Sequence, residues 1–387
     1  MKYKSAYPFF PEEDIEEILK KTRSILEGDG LLSMGNYVSE FESSFASYIG
    51  VKSSVATNSC SSALEISLNS IEINPGDEVI IPAQTFIATG SSVVKAGGIP
   101  IFCEIDQNFL IDIKDLKNKI TSKTKAVIIV HFAGLIHEDI EELKIFLNKK
   151  NIFLIEDAAH AAGSLLNGKK AGSFGNVACF SFFSTKNMTT GEGGIIVSNE
   201  DKILKNASSI RNRGQDPESD NEQFSKIGSN YRMTEFQALL GIYQLKRLDD
   251  FNRHRNKIAS IYDKNFNSLF NSKVLSKQTK KEGNFSSFWK YWIILEDESF
   301  NPDDRSTLKE MMAEDSISVD WAYSPLVHLQ PVFRSMYNIS EGHLPASERI
   351  ASRHLCLPIH SLISEEDADF ISKTLLKKIK QLKQLKA

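Results

Sequence analysis

The chain has 387 residues, 41% hydrophobic and 25% charged, which is enough to bury a full core and to form roughly two domains. Its formal net charge of −4 and dispersed basic residues supply no cationic field for nucleic acid. Residues 1–5 lead into Pro11-Glu12-Glu13-Asp14 without an apolar signal core, so the expectation is a cytoplasmic protein with no membrane or nucleic-acid partner.

Pro11 and the acids after it start a helix whose apolar residues Ile15, Ile18, Leu19, Ile25 and Leu26 recur at helical spacing up to Gly28. A second helix covers Val38 to Ile49 and stops at Gly50. Short apolar runs follow: 79–81, 99–102, 126–130, 152–155, 177–183 and 195–197. Segments such as Glu138 to Asn148 are long enough to be crossover helices between them. The alternation predicts an α/β fold with a mostly parallel sheet covered by helices on both faces.

Met233 to about Phe270 has one glycine, Gly241, and no proline, and it reads as one long or gently broken helix. Lys273 to Lys281 is polar, and Phe288 to Leu295 makes an aromatic strand. The predicted division is a large cofactor-binding domain at 1–245, then the long connecting helix and a small α+β domain at 246–387. The tail Leu376-Lys377-Lys378-Ile379-Lys380 reads as an exposed helix face. Cys60, Cys103, Cys179 and Cys356 lie far apart without paired spacing, which argues against a zinc site or a disulfide framework, and no metal is expected.

Lys186 lies in the turn Ser184 to Thr190, between the runs 177–183 and 195–197. Most lysines are solvated surface charges. One held between buried strands loses stability as an ammonium, its pKa falls, and its amine becomes a Schiff-base candidate. The run 152–155 ends in Glu156-Asp157-Ala158-Ala159-His160, which sets an acid and an imidazole at the carboxyl end of a parallel strand, where open α/β sheets bind ligands. Asp157 as a simple turn cap is the plainer alternative. The small residues from Ala158 to Gly163 suit a flat ligand close to the backbone.

Ser59-Cys60-Ser61-Ser62 precedes a helix and offers hydroxyls and N–H groups to an anion. Ser181 stands five residues ahead of Lys186. Gly191-Glu192-Gly193-Gly194 lacks nucleotide-loop spacing and reads as a backbone turn near the lysine. A buried lysine, an acid at a strand end and an anion cradle are the three parts that a pyridoxal 5′-phosphate enzyme needs.

With these motifs in this order, the chain resembles the DegT/DnrJ/StrS family of pyridoxal-phosphate sugar aminotransferases. The resemblance also rests on Pro75-Gly76-Asp77-Glu78, Thr85-Phe86-Ile87-Ala88-Thr89, Gly228-Ser229-Asn230-Tyr231-Arg232-Met233 and Leu329-Gln330-Pro331. It implies fold type I, the aspartate aminotransferase-like architecture. It implies Lys186 as Schiff-base lysine and proton shuttle, Asp157 paired with the pyridine nitrogen, His160 on the ring hydroxyl and Phe86 stacked on the ring. Cys60, Ser61 and Ser181 would cradle the phosphate, with Asn230 reaching it from the neighbouring subunit of a homodimer with shared active sites.

Tyr323, His328 and Gln330 occupy the segment where the family meets the sugar, with core or interface packing as the alternative for each. The implied reaction is transamination of a keto-sugar, nucleotide-linked and either a 4-keto-6-deoxy or a 3-keto hexose, with glutamate as amino donor, in amino-sugar biosynthesis for surface polysaccharide or glycoconjugate. Related dehydratases carry histidine where this chain has Lys186, and a non-catalytic cofactor- or sugar-binding relative is the other alternative. Two positions depart from the family. Cys60-Ser61 replaces a frequent Gly-Thr, and Arg211-Asn212-Arg213-Gly214 replaces Arg-x-His-Gly. Choice of sugar is expected to depend on 131–137, 215–226 and 323–330.

Overall fold

Seven short strands form one sheet: β1 (Ser53–Thr57), β2 (Glu78–Pro82), β3 (Ile99–Cys103), β4 (Thr124–Val130), β5 (Phe153–Asp157), β6 (Val177–Ser181) and β7 (Gly194–Ser198). The computed structural model describes residues 1–386 other than 29, 217, 220–222 and 282. The spatial order is β1-β7-β6-β5-β4-β2-β3. Strands β6, β5, β4, β2 and β3 run parallel, and β7 lies antiparallel to both β6 and β1. The helices in this part are α1 (Glu12–Glu27), α2 (Asn36–Ile49), α3 (Cys60–Ser70), α4 (Ile87–Lys95), α5 (Ile113–Lys119), α6 (Ile140–Asn148), α7 (Asp201–Arg211) and α8 (Glu235–Asn271).

Strand periodicity sorts the side chains between two cores. In β4, Val127 and Ile129 join Phe41, Phe45 and Ile49 of α2, whereas Ala126 and Ile128 join Leu64, Ile66 and Leu68 of α3. In β5, Leu154 goes to the α2 side and Ile155 to the α3 side, so Glu156 and Asp157 are sent to opposite faces. In β6, Phe180 packs on the α2 side, and Val177 and Cys179 on the α3 side, where Cys179 Sγ lies 3.2 Å from Ser67 Oγ. Ser181 follows Cys179 on that same face.

Helix α8 has 37 residues and spans about 55 Å at 1.5 Å per residue. Thr234 and Gln237 close a capping box at its start. A Cβ at Gly241 would lie 2.7 Å from the Phe41 ring, so this one glycine lets α2 cross closely. The helix joins two cores, with Ala238, Ile242 and Leu248 in the first and Ile258, Tyr262 and Phe266 in another. The second core lies against an antiparallel sheet of β8 (Leu275–Lys277), β9 (Tyr291–Leu295) and β10 (His354–Leu357). The helices α9 (Asp304–Glu314), α10 (Pro331–Tyr337), α11 (Pro345–Ala351) and α12 (Glu365–Lys386) complete this part.

The structure refines three sequence expectations. Strand β1 escapes the hydrophobic pattern because Ser53, Ser54 and Thr57 dilute it. Strand β8 lies inside the polar stretch 273–281, and as an edge strand it needs only Leu275 buried. The aromatic run becomes strand only at Tyr291, because Phe288 has φ +46° and residues 287–290 turn toward the large sheet. In α12 the tail is amphipathic, with Ile379 buried and Lys378 paired to Glu314 at 2.7 Å and Asp315 at 3.2 Å. Among the described residues no helix is long and apolar enough to cross a membrane.

Glu235 ties the starts of α2 and α8 together. Its buried carboxylate, in the first turn of α8, accepts from the N–H groups of Gly35 (2.9 Å), Tyr37 (2.8 Å) and Val38 (3.2 Å). Replacement with alanine leaves these donors without their anion. Glu235→Ala is expected to lower stability by about 2–3 kcal/mol, measured as a lower urea midpoint with an unchanged slope.

Candidate active site

The loop between β6 and β7 starts from a register that pairs Ser181 with Gly194. It is closed at its base by Phe182 N–H to Gly193 O and Thr190 N–H to Phe182 O, both 2.9 Å. Lys186 sits within it and faces a cavity of ≈ 390 Å³ at the carboxyl ends of β5 and β6. The surface that Lys186 keeps opens into this cavity. Burial pushes its ammonium down to about 8, opposed by the nearby Cys60 and Asp157 and reinforced by Lys290.

Asp157, the last residue of β5, is buried against the same cavity. Its Oδ2 accepts from Thr89 Oγ1 at 2.8 Å and its Oδ1 from Ala159 N–H at 3.2 Å. Burial raises its pKa, against those two hydrogen bonds and the charge of Lys186. Such a carboxylate favours a cationic partner. Glu156, one residue earlier, is the opposite case: on the other face of the sheet it accepts from Gly172, Phe174 and Gly175 N–H at 2.7, 2.8 and 2.5 Å, and lies 2.7 Å from His131 Nε2. Glu156 holds a loop, and Asp157 is left for chemistry.

His160 Nε2 is 2.7 Å from the Tyr323 hydroxyl, while Nδ1 is buried without a partner. The imidazole stacks on Trp289 at 3.7 Å and 11°. Burial and the cations Lys186 and Lys290 hold its pKa well below the usual range, so the ring is neutral. Phe86 precedes α4 and is 51% exposed at the cavity. Its ring centroid lies 5.6 Å from that of Tyr323, which has φ +53°.

Helix α3 points its first turn at the cavity. Ser59 caps it by accepting from Ser62 N–H at 3.1 Å, which leaves Cys60 and Ser61 at the first two helical positions, where intrahelical acceptors are lacking. The helix end comes this close to the sheet because residue 194 is glycine. A Cβ there would lie 2.4 Å from the Ser59 carbonyl carbon and 2.5 Å from the Cys60 nitrogen.

Lys186, Cys60, Ser61, Phe86, Asp157, His160, Ser181 and Tyr323 thus meet around one cavity. Of the three residues expected to meet the sugar, two lie outside this lining. His328 is fully buried outside the cavity lining, 3.1 Å from Glu348 Oε1, because the short helical turn that carries it packs inward against Phe102. Gln330 donates to Pro325 O at 2.8 Å beside the start of α10 and also lies outside the lining. Residues 131–137 do not line the cavity, and in 215–226 residues 217 and 220–222 lie outside the described residues. Asn230 is exposed, bridges Asn212, and is absent from the lining in its own chain.

Sequence reasoning passed over Thr89 and Trp289. Thr85 and Thr89 stand one helical turn apart with their hydroxyls 2.6 Å from each other. That spacing around Phe86 was the available signal for Thr89. Trp289 was hidden inside an apparent strand. Among the described residues no group of three or more His, Cys, Asp or Glu side chains is placed to hold a metal.

The model of the DegT/DnrJ/EryC1/StrS aminotransferase family matches residues 12–376. GDP-perosamine synthase of Caulobacter vibrioides is 34% identical over 338 residues, covering 87% of this chain and 88% of its own length. Helicobacter pylori PseC, an aminotransferase involved in the biosynthesis of pseudoaminic acid, superposes with a TM-score of 0.90 at 25% identity, covering 98% of this chain and 99% of that one. Spr1654 of Streptococcus pneumoniae, solved in a PLP form, gives 0.87 at 26% identity over 98% of each chain.

The loop carrying Tyr323 depends on a neutral histidine. His354 Nε2 accepts from Ala322 N–H at 3.0 Å, its Nδ1 donates to Ala351 O at 2.7 Å, and burial pushes its pKa down to about 4. The folded pKa lies below the unfolded value of about 6.5, so the unfolded chain takes the proton first. Stability is therefore full above about pH 6.5 and falls as the pH drops toward 4. Urea midpoints measured across this window are expected to fall on acidification, and His354→Leu to reduce the slope by about one proton while His137, His160, His328 and His360, also lowered by burial, keep the remainder.

Proposed function

The chain belongs to the DegT/DnrJ/EryC1/StrS aminotransferase family, and we propose that it transfers an amino group from an amino acid, glutamate being the expected donor, to the ketone of a nucleotide-linked hexose. The convergence of Lys186, Asp157 and the first turn of α3 on one cavity carries this reading. The nucleotide-linked sugar is supported by the similarity to GDP-perosamine synthase. A role in amino-sugar biosynthesis follows from the product class.

Pyridoxal 5′-phosphate fits the residues present. Asp157 is a buried carboxylate suited to a ring N–H, His160 Nδ1 is a buried polar atom without a partner, and the α3 terminus suits a phosphate. Lys186 would hold it through its amine, Asp157 at the ring nitrogen, Phe86 at the ring face, and Ser61, Ser181 and the N–H of Cys60 at the phosphate. Bound there, the cofactor supplies the electron sink that lets a C–H bond beside an amine break.

The chain supplies the proton transfers and the enclosure. Lys186 Nζ, with a pKa near 8, is poised to take and return a proton close to neutral pH. Asp157 would stand as the anionic partner of the ring nitrogen, and Thr89 and Ala159 hold its carboxylate in orientation. Tyr323, Trp289 and Phe86 wall the cavity and limit water beside Lys186. In both half-reactions, loss of the amino group from the donor and its delivery to the ketone, the lysine nitrogen is not itself transferred and this one amine would move the proton.

Lysine rather than histidine at 186 favours amination over dehydration. Asn230, exposed and away from its own cavity, supports a homodimer in which it serves the neighbouring site. A cytoplasmic enzyme is the proposal that goes with this substrate class. Incubation with a panel of nucleotide-linked keto-hexoses and glutamate is expected to give a product with ketone replaced by amine, seen by mass. Asp157→Asn should lower kcat by roughly 10²–10⁴. Repeated turnover by Lys186→Ala, or a deoxygenated product, would refute the assignment.

A further inference from the structure

Both chain neighbours of Lys186 are gripped by one segment that comes from beyond α8. On one side, Trp289 Nε1–H donates to the carbonyl of Thr185 at 3.0 Å. On the other, the side-chain amide of Asn187 donates to Ser287 O at 2.7 Å and to Asn252 Oδ1 of α8 at 2.8 Å. The lysine amine itself lies 4.3 Å from the centroid of the Trp289 ring, and the neutral His160 stacks on that indole. Trp289 is buried, and its N–H is satisfied.

We propose that Trp289 is a positioning residue for the reaction: its ring face holds the free amine of Lys186 at one place in the cavity while its N–H fixes the peptide that precedes the lysine. The chemistry asks for such a holder. An amine that lets go of its covalent partner in each half-reaction must stay within reach of the reacting carbon, and a lysine side chain has four rotatable bonds through which to drift. An indole face attracts an ammonium without a counter-charge, so it retains the group but leaves it free to give up a proton.

The neighbours of the amine show why a ring suits this place. Cys60 from α3, Asp157 and His160 from the end of β5, Glu192 from the lysine loop and Tyr323 from the later loop all face the same space, and Lys290, paired with Asp320 outside the lining, acts on the amine through its charge. A buried carboxylate in place of the indole, unlike the exposed Glu192, would hold the amine too firmly as a cation and compete for a cationic ring nitrogen. A plain aliphatic side chain would leave Lys186 with burial and Lys290 pushing its pKa down. The indole lies between those extremes, and it also sets the imidazole of His160 by stacking.

The inference rests on Lys186 being the reacting amine, and its test needs neither donor nor sugar. The sequence has three tryptophans, Trp289, Trp292 and Trp321. Trp292 is buried against Phe109, and Trp321 lies under Arg305 and Lys309. Biosynthetic incorporation of indoles with one, two and three fluorines weakens the ring's attraction for a cation with little change in shape. The pKa of Lys186 in the full chain without cofactor is read by NMR after ¹³C-methylation, its signal assigned by loss in Lys186→Arg.

Stepwise fluorination is expected to lower that pKa progressively, by up to about one unit, with Trp289→Leu lowering it as far and Trp289→Phe about half as far. In the holoenzyme, Trp289→Leu should lose roughly tenfold in kcat with a shifted pH profile, and Trp289→Phe should recover much of that loss. A Lys186 titration that is unchanged across the fluorinated proteins overturns the proposal, whether or not Trp289→Leu folds. Equal kcat losses in the Phe and Leu variants also overturn it, because they would assign the effect to the N–H contact alone. Failure to aminate any sugar would bear on the reaction assigned above and not on this titration.

Discussion

The site depends on a buried carboxylate and a buried amine held against one cavity, each altering the charge state of the other. Burial raises the pKa of Asp157 and lowers that of Lys186, so both are pushed toward neutrality. Their mutual attraction opposes both shifts. The balance keeps Asp157 available as an anion to a cationic ligand and gives Lys186 a proton affinity near physiological pH. Moving either side chain to the surface would lose this, since water would screen the attraction and remove the burial.

That arrangement follows from strand periodicity and one reversed strand. The alternation in β5 sends Glu156 to a set of backbone N–H groups and Asp157 to the cavity. The antiparallel β7 returns from the lysine loop beside β6, so Ser181 and Gly194 stand opposite each other directly below Lys186. Later chain then locks the geometry from the other side. Ser287 Oγ donates to His160 O at 2.9 Å, its N–H donates to Ser164 Oγ at 3.0 Å, and a Cβ on Gly134 would lie 2.4 Å from Ser287 Oγ. The segment that grips Lys186 through Asn187 and Trp289 therefore also grips the loop after Asp157, so the acid and the amine share one brace.

Much of this was legible in the sequence where chemistry and local pattern coincide. Lys186 between two apolar runs, Asp157 at a strand end, and Ser59 to Ser62 ahead of a helix are each local signals, and all three fall around the cavity. The long helix and its single glycine were readable in the same way, although the reason for Gly241 appears only when Phe41 packs against it. What stayed hidden depends on contacts between distant residues. No spacing tells that Trp289 turns back to Thr185, across 104 positions, or that Thr89 meets Asp157 across 68. The placing of His328 was hidden for a related reason: a histidine close in sequence to Tyr323 turns away from it, because the short helical turn at Val327–Leu329 sends it into the core.

Cys60 shows how a departure from the family pattern is absorbed. A side chain in place of glycine at the first position of α3 would be costly if the helix end needed that space to approach the sheet. The structure puts the tight contact on the sheet side instead, where Gly194 leaves no room for a Cβ beneath Ser59 and Cys60. The Cys60 side chain is half-buried and faces the cavity, and burial together with Asp157 pushes its thiol well above the usual range. A thiolate next to Asp157 and a phosphate would repel both. A neutral thiol adds a small polarizable surface and leaves the backbone N–H, the group that matters to an anion at a helix start, in place. The burial that tunes Lys186 therefore also makes Cys60 tolerable beside it.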